Sequence, residues 1–173
     1  MFVSDHGEQM REHGAVGHTG TLFDAEIRVP FWVDAPKGAL TDGEIASLKK
    51  LHETPVTELD VFPTMMDLLG LWDEHGIDRF RPKYAGQSLL RGGSDPDRSI
   101  VMTNCTELWA CAFKNWGAMR GTKKLIAHQG DGAWNCFDIK DDPGEEHSLG
   151  ADKCGDLLGL AEKTMGGRPF GGR

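Results

Sequence analysis

Hydrophobic positions in the first third of the chain recur at the spacing of short strands and of one amphipathic helix. The apolar run at residues 1–3 predicts the end of a buried strand, and a second strand is expected at residues 31–34. Thr41 followed by Glu44 has the form of a capping box, in which each side chain bonds the other residue's backbone N–H. Apolar residues at helical spacing follow, so a surface helix is expected over residues 42–52.

A second helical pattern begins after a similar capping signal at Thr57 and Asp60. Apolar residues on one face continue to Gly70, which is placed to end the helix. Pro63 lies within this pattern and removes a backbone donor, so it is expected to kink or restart the helix. The polar stretch at residues 73–98 contains several glycines and prolines and predicts a crossing loop.

The last third of the chain alternates in the manner of short strands separated by close turns. We predict strands at residues 99–103, 109–114, 116–120, 123–128 and 133–139. Glycine and asparagine between them favour an antiparallel meander. A helix over residues 152–165 is expected to cover one face of this sheet, and residues 166–173 are expected to form a flexible tail. The predicted fold class is α/β, with a subdomain boundary near Asp95.

Composition and charge exclude some classes of partner. The 173 residues are 39% hydrophobic and 27% charged, which is enough to bury a core in one domain or two small ones. The formal net charge of −8 argues against nucleic acid as a partner, because phosphate binding needs a basic face. No apolar run approaches the roughly 18 residues of a membrane span, and no signal peptide opens the chain.

The four cysteines include no pair with the spacing of a zinc ribbon. Cys111 and Cys136 lie in alternating stretches, so we interpret them as small buried hydrophobic residues. Disulfide and metal-binding roles for these two residues are the less favoured interpretations. A disulfide between Cys105 and Cys111 stays open as an alternative.

The segment at residues 4–18 has the most informative cluster of chemical groups. Asp5 and His6 follow the first predicted strand, and ligands of open α/β sheets bind beyond the carboxyl ends of the strands. A carboxylate and a neutral imidazole side by side can ligate one divalent cation, and the imidazole favours manganese, iron or zinc over calcium. His18 is a candidate hydrogen-bond donor to an anionic substrate. The alternative is that Asp5 caps a turn and that the histidines, including His13, are solvated.

Several short segments occur in one order along the chain: Asp5–Glu8, Gly17–Asp24, Glu26–Val33, Thr57–Gly70, Gly86–Leu90, Lys123–Ile126 and Phe137–Glu146. Together they resemble the sulfatase family of the alkaline phosphatase superfamily, and the resemblance spans nearly the whole chain. It implies that residues 1–95 are the C-terminal portion of an alkaline-phosphatase-like core sheet that carries half of the metal site. Residues 96–173 would then form a small antiparallel subdomain packed with a C-terminal helix.

The resemblance also implies roles for three residues. Asp5 and His6 would hold a divalent metal ion (manganese, zinc or calcium) together with acidic ligands from an upstream half of the fold. His18 stands where relatives place a lysine or histidine beside the scissile ester oxygen. It is therefore expected to bind the substrate and to act in catalysis, by neutralising charge and protonating the leaving group.

The nucleophile of the family has no counterpart in this chain. In sulfatases it lies upstream in a Cys/Ser-x-Pro-x-Arg motif and is converted to formylglycine. Proline does not stand two residues after any of Cys105, Cys111, Cys136 and Cys154. We therefore expect a fragment of a hydrolase of sulfate esters that is inactive alone and pairs with a missing N-terminal half. The isolated chain is expected to self-associate through exposed apolar sheet edge. The location of the full-length protein, which could be membrane-anchored, periplasmic or secreted, stays open.

Two other interpretations stay open as well. Many arylsulfatases have Asp-Asn at the position of Asp5-His6, whereas Asp-His resembles phosphonate monoester hydrolases and phosphoethanolamine or phosphoglycerol transferases, whose substrates are phosphate or phosphonate esters. An upstream lone threonine after a strand would favour a transferase, and the Cys/Ser-x-Pro-x-Arg motif would favour a sulfatase. The alternative from another class is a non-catalytic binding module that keeps the fold and a vestigial metal site.

Overall fold

The computed structural model describes residues 1–18, 20–92, 95, 97–104 and 114–167. The chain divides into two compact units, one containing Met1–Val3 and Phe31–Arg98 and the other containing Ser4–Pro30 and Ser99–Arg173. The division predicted at residue 95 differs from this grouping chiefly in residues 4–30, which group with the C-terminal residues. The contacts that hold this segment are described with the candidate site below.

The helices and strands are short. In chain order the strands are β1 (Phe2–Val3), β2 (Gln9–Met10), β3 (Val16–Gly17), β4 (Phe31–Trp32), β5 (Ile100–Thr103), β6 (Trp116–Arg120), β7 (Lys123–Ala127) and β8 (Asn135–Asp138). The α-helices are α1 (Asp24–Ile27), α2 (Asp42–Lys50), α3 (Val61–Leu68) and α4 (Gly155–Met165). Turns of 3-10 helix lie at Glu12–Gly14, Leu51–Glu53, Glu58–Asp60, Arg81–Lys83 and Ala151–Cys154. Among the residues that the structure describes, no helix is both long and apolar enough to cross a membrane.

In the first unit, β1 and β4 pair antiparallel. The helix predicted over residues 42–52 is present as α2 and continues into a 3-10 turn. Its capping box is confirmed, because the Thr41 N–H donates to Glu44 Oε2 at 2.7 Å and the Glu44 N–H donates to Thr41 Oγ1 at 3.3 Å. These two bonds satisfy backbone donors that a helix start otherwise leaves without partners, so they explain why α2 begins here.

The second predicted helix is interrupted at its start. A 3-10 turn ends at Asp60, and α3 begins at Val61. The break in the helical pattern that was expected at Pro63 therefore lies two residues before the proline. Pro63 therefore lies in the first turn of α3, where its missing N–H removes no helical hydrogen bond. The helix ends before Gly70, whose φ of 69° is in the left-handed region that glycine tolerates.

In the second unit, β5, β6, β7 and β8 form a four-stranded antiparallel sheet in chain order. The predicted meander is confirmed for these strands, whereas residues 109–113 of the other predicted strand lie outside the described residues. The predicted C-terminal helix is α4, and it packs on the sheet. Leu157 and Ala161 on α4 are buried in one cluster with Leu125 and Trp134.

The cysteine prediction is wrong for Cys136. Its sulfur forms a disulfide with Cys154, with the two Cα atoms 5.8 Å apart. Cys136 lies on β8 and Cys154 ends the 3-10 turn before α4, so packing of the C-terminal helix on the sheet brings the two together. Cys105 and Cys111 lie outside the described residues, as do residues 168–173 of the predicted flexible tail.

Candidate metal and ester site

The turn that carries Asp5 and His6 is held by α1. The Ser4 hydroxyl donates to the His6 carbonyl at 2.8 Å, and the Gly7 N–H donates to the Glu26 carbonyl at 2.7 Å. A Cβ atom at position 7 would lie 2.2 Å from a backbone oxygen of α1. Because that distance is far below van der Waals contact, only glycine allows this close approach. The position of the turn is therefore set by the backbone of α1.

Asp5 and His6 present a carboxylate and an imidazole to solvent. Asp5 Oδ1 and His6 Nε2 are 3.8 Å apart, and the two side chains are 89% and 43% exposed. His6 Nδ1 lies 2.8 Å from the Gly7 carbonyl oxygen, so in this geometry Nδ1 carries the proton and Nε2 is the nitrogen suited to a metal. The donor set fits a divalent ion, because a carboxylate oxygen and an imidazole nitrogen both ligate such ions. Two ligands do not fill a coordination shell, so the remaining ligands must come from elsewhere.

His18 lies directly beside His6. The two rings are stacked with their centroids 3.7 Å apart, and His18 Nδ1 is 2.8 Å from Glu8 Oε2. The hairpin of β2 and β3 explains this arrangement: Gln9 pairs with Gly17, so Glu8 and His18 stand opposite each other just outside the paired residues. The structure thus places the residues predicted for the site close together in one segment. The structure adds Glu8 to the predicted site residues, since no role for Glu8 was predicted from the sequence.

Glu26 organises the loop that follows His18. This buried carboxylate accepts hydrogen bonds from the backbone N–H groups of Gly20 and Thr21 at 3.1 Å each. The Thr21 hydroxyl donates to it at 2.7 Å and the Gln9 amide at 2.6 Å. The sequence offered only a weak signal for this role, a single acidic residue directly before an apolar stretch.

Lys124 connects α1 to the four-stranded sheet. Its fully buried ammonium group donates to Asp24 Oδ1 at 2.6 Å and forms an ion pair with Glu145 Oε1 at 2.7 Å. The Asp24 N–H in turn donates to Glu145 Oε2. Burial raises the pKa of the Glu145 carboxyl, and the nearby ammonium of Lys124 opposes that rise. This triad joins residues that are far apart in the chain, so no local sequence signal indicates it.

His128 makes a second connection between this segment and the sheet. The Leu22 N–H donates to His128 Nε2 at 3.0 Å, and His128 Nδ1 lies 3.1 Å from Asp131 Oδ2. Burial lowers the pKa of the His128 imidazole, which favours the neutral form that can accept the bond from Leu22. No functional role was predicted for His128 from the sequence. In the structure it positions the segment of residues 4–30. These connections explain why residues 4–30 group with the sheet.

His13 takes a different position from the other two histidines of this segment. Its ring stacks on Phe23 with a centroid distance of 3.5 Å, and its φ of 51° is left-handed. It is not one of the three residues whose possible ligand atoms lie within 4.8 Å of one another, which are His6, Glu8 and His18. His13 is therefore not part of the group that could hold a metal ion with His6 and His18.

Comparisons with known proteins agree on one family. The Sulfatase family profile matches residues 1–71. Choline-sulfatase of Rhizobium meliloti (strain 1021) is 29% identical over 166 residues, which are 96% of this chain and 27% of that protein. The uncharacterized sulfatase YidJ of Escherichia coli (strain K12) is 31% identical over 153 residues, which are 86% of this chain and 27% of that protein.

Solved structures that superpose on this chain are also those of sulfatases. The 2-O GAG sulfatase BT1596 superposes with a TM-score of 0.62 and 26% identity, over 95% of this chain and 34% of that one. A putative sulfatase from Bacteroides thetaiotaomicron VPI-5482 superposes with a TM-score of 0.58 and 25% identity, over the same shares of the two chains. The chain thus spans about a quarter to a third of the length of the proteins it matches.

Proposed function

Since this chain belongs to the sulfatase family, we propose that it supplies part of the active centre of a metal-dependent hydrolase of sulfate esters. The observation that carries the proposal is the arrangement of Asp5, His6 and His18. A carboxylate and an imidazole suited to a metal lie next to a second imidazole, which stacks on the first at 3.7 Å. This arrangement combines two ligands for a cation with a neighbouring candidate proton donor, the two kinds of group that hydrolysis of an ester needs.

Each of these residues has a defined task in the proposed reaction. Asp5 and His6 would hold a divalent ion, which when bound supplies Lewis-acid stabilisation to a sulfate oxygen. His18 would bind the bridging ester oxygen and donate a proton as the leaving group departs. Glu8 accepts the Nδ1 hydrogen of His18 and so holds the imidazole with Nε2 directed away from this bond.

The isolated chain is proposed to be inactive, because none of its cysteines begins a Cys-x-Pro-x-Arg motif and because the resemblance implies that the nucleophile and further acidic metal ligands lie upstream. The lengths of the relatives support this, since roughly two thirds or more of each lies outside the match. The remaining part of a sulfatase fold is therefore the proposed partner. An apolar face at α3 is a candidate contact for it, because Leu59, Phe62, Met65 and Leu69 are all exposed there.

The test of the proposed function starts from the genomic DNA upstream of the Met1 codon, read in frame. An open frame that encodes a Cys/Ser-x-Pro-x-Arg motif supports the proposal, and the encoded full-length protein can then be assayed with sulfate, phosphate and phosphonate esters. In that protein, His18→Ala should lower kcat for sulfate esters about 10²- to 10⁴-fold. His75→Ala, which changes an exposed histidine elsewhere, is the matched control and should leave kcat unchanged.

Three outcomes would contradict this proposal. A stop codon directly upstream would favour the free-standing binding module. A lone threonine nucleophile together with a preference for phosphate or phosphonate esters would favour the transferases and phosphonate hydrolases of the same superfamily. Unchanged turnover in the His18→Ala enzyme would remove the role proposed for that imidazole.

Self-association of the isolated chain tests the proposed partner. Static light scattering over increasing concentration should give a rising average mass, since the apolar face at α3 would then contact other copies. Phe62→Glu combined with Leu69→Lys should reduce this association, and Glu44→Gln on the capped end of α2 should not. A monodisperse monomer at high concentration would count against a severed sulfatase fold.

A further inference from the structure

We propose that His6, Glu8 and His18 form a self-contained binding site for one borderline divalent cation such as Zn²⁺. This ligand set differs from the one in the proposed function, because it uses Glu8 and His18 and does not use Asp5. All three ligands belong to this chain and to one compact unit. The site therefore does not require the remaining part of a sulfatase fold, and the proposal does not rest on hydrolase activity.

The ligand atoms lie near one another, although the group is wider than the ligand shell of a bound ion. One possible ligand atom from each of His6, Glu8 and His18 lies within 4.8 Å of the other two. Neighbouring ligand atoms in a tetrahedral zinc site are about 3.4 Å apart, as follows from bond lengths of about 2.1 Å. The three side chains are 42–43% exposed, so rotation about their side-chain bonds can close the remaining difference.

The backbone already holds the three residues in position. Glu8 and His18 are opposed across the end of the hairpin because Gln9 pairs with Gly17. His6 is fixed on the same side through Gly7, whose N–H bonds to α1 and whose position excludes a side chain. A site on a preformed backbone loses less conformational entropy when the ion binds than a site on a flexible loop would.

The orientation of His6 is a separate observation that points to a metal. Its Nδ1 lies 2.8 Å from the carbonyl oxygen of Gly7, which assigns the proton to Nδ1 and Nε2 to the ion. Histidines that bind metals commonly donate their other ring N–H to a backbone carbonyl or a carboxylate in this way, which fixes the tautomer and the ring orientation. The stack of His6 on His18 brings the second imidazole next to the first, and the two rings, now 20° from parallel, must rotate apart for both nitrogens to reach one ion.

The chemistry of the ligand set selects the type of ion. Two imidazoles and one carboxylate form a zinc set that recurs in proteins, usually with water at an open fourth position. Calcium prefers an all-oxygen shell, so it should bind here weakly. The single negative charge of Glu8 and the net charge of −8 on the chain both favour a cation.

Occupation of this site has a consequence for the proposed function. A cation bound by His18 would prevent that imidazole from donating a proton to an ester. Zn²⁺ in excess should therefore compete with ester substrates in any enzyme that contains this segment. The binding itself is the primary test, because it does not require an active enzyme.

The experiment is a titration of the metal-free 173-residue chain with Zn²⁺ by isothermal titration calorimetry. We expect one saturable site per chain, and Glu8→Gln and His18→Ala should each weaken binding at least about tenfold. Asp5→Asn should weaken binding less than either of these, because Asp5 lies outside the group of three and is 89% exposed, although its Oδ1 is 3.8 Å from His6 Nε2. His75→Ala is the matched control, since His75 is an exposed histidine that pairs with Asp78 elsewhere in the chain.

Two measurements keep the result decisive. Far-UV circular dichroism of each variant shows that it is folded, and the intensity of the visible d–d bands of bound Co²⁺ reports whether the ion is four-coordinate, as expected for three protein ligands and one water. No saturable binding by the unaltered chain would overturn the proposal. Loss of affinity in Asp5→Asn with none in Glu8→Gln would also overturn it, and would at the same time support the Asp5–His6 pair of the proposed function.

Discussion

Each of the two compact units contains a buried carboxylate that organises the loops around it, and the two carboxylates differ in their partners. Glu26 belongs to the unit that carries the candidate site. It accepts hydrogen bonds from two backbone N–H groups, one hydroxyl and one amide, which come from Gly20, Thr21 and Gln9. These four donors are all uncharged.

Asp60 in the other unit has an additional, charged partner. It accepts from the Thr57 N–H at 2.8 Å and the Gln87 N–H at 2.8 Å, and the Arg98 Nη1 group donates to both of its oxygens at 3.0 and 2.8 Å. Its side chain is fully buried, whereas that of Arg98 is 21% exposed. A cation from 38 residues away therefore neutralises this carboxylate.

Because Asp60 has a charged partner and Glu26 has uncharged ones, substitutions around the two carboxylates should have different effects. Around Asp60, a substitution of Arg98 removes the cation that pairs with this carboxylate and leaves a buried charge. Around Glu26, several uncharged donors share the stabilisation of the buried carboxylate. The conformation of the loop after His18 therefore depends on all of these hydrogen bonds. The candidate site is built on the second kind of arrangement, in which small shifts of the backbone alter several bonds together.

The largest effect is expected from Arg98→Met. It leaves the buried Asp60 carboxylate without its cation and should lower the free energy of unfolding by about 3–4 kcal/mol. Urea unfolding followed by circular dichroism measures this loss, and hydrogen exchange should locate it in residues 57–64. Arg120→Met is the control, because Arg120 pairs with Asp156 and both side chains are exposed, so this pair should contribute at most about 1 kcal/mol. Equal losses in the two variants would mean that Asp60 is stabilised by its uncharged donors, as Glu26 is.

The disulfide should make the unit that contains Glu26 sensitive to reducing agents. Cys136→Ala combined with Cys154→Ala removes a bridge between residues 18 apart, which should cost about 3 kcal/mol. Hydrogen exchange should show faster opening in β7 and β8, with little change in α3. Dithiothreitol should reproduce this pattern in the unaltered chain and have no further effect on the double variant. An equal change in α3 would mean that the two units unfold together.

Glu26→Gln should have a smaller but more local effect. The amide loses the negative charge and turns an NH₂ group toward N–H and O–H donors, which should cost about 2 kcal/mol. Faster exchange of the Gly20 and Thr21 amides is the expected signature. Glu44→Gln, which alters an exposed capping box, is the control and should cost less than about 1 kcal/mol without affecting these amides. Unchanged exchange at Gly20 and Thr21 would contradict the role given to Glu26.

The smallest effect concerns pH and His128. Burial lowers the pKa of this imidazole below its usual value of about 6.5, so the folded state favours the neutral form that accepts the Leu22 N–H. Its contribution, about 1 kcal/mol, is therefore present above pH of about 6.5 and is lost as the pH falls below that value. The difference in Tm between the unaltered chain and His128→Gln should shrink as the solution is acidified. The same series with His75→Gln should show no such trend, and a constant difference for His128→Gln would contradict this assignment.

The sequence carried reliable information where the interactions are local. The Thr41–Glu44 capping box, the glycine that ends α3 and the order of strands β5 to β8 were all predicted, because each depends on residues close together in the chain. The proximity of Asp5, His6 and His18 was also anticipated from one short segment. Their catalytic and metal-binding roles remain predictions.

The tertiary structure alone decided the contacts between distant residues. The Cys136–Cys154 disulfide was missed, because only the packing of α4 on the sheet brings those sulfurs together. The pairing of Lys124 with Asp24 joins residues 100 positions apart. A buried lysine has no local pattern that distinguishes it from an exposed one, since the cost of burying its charge is met only by partners that the folded chain supplies. The sequence by itself therefore determined the local elements and the chemical groups of the candidate site, and the fold determined what holds them in place.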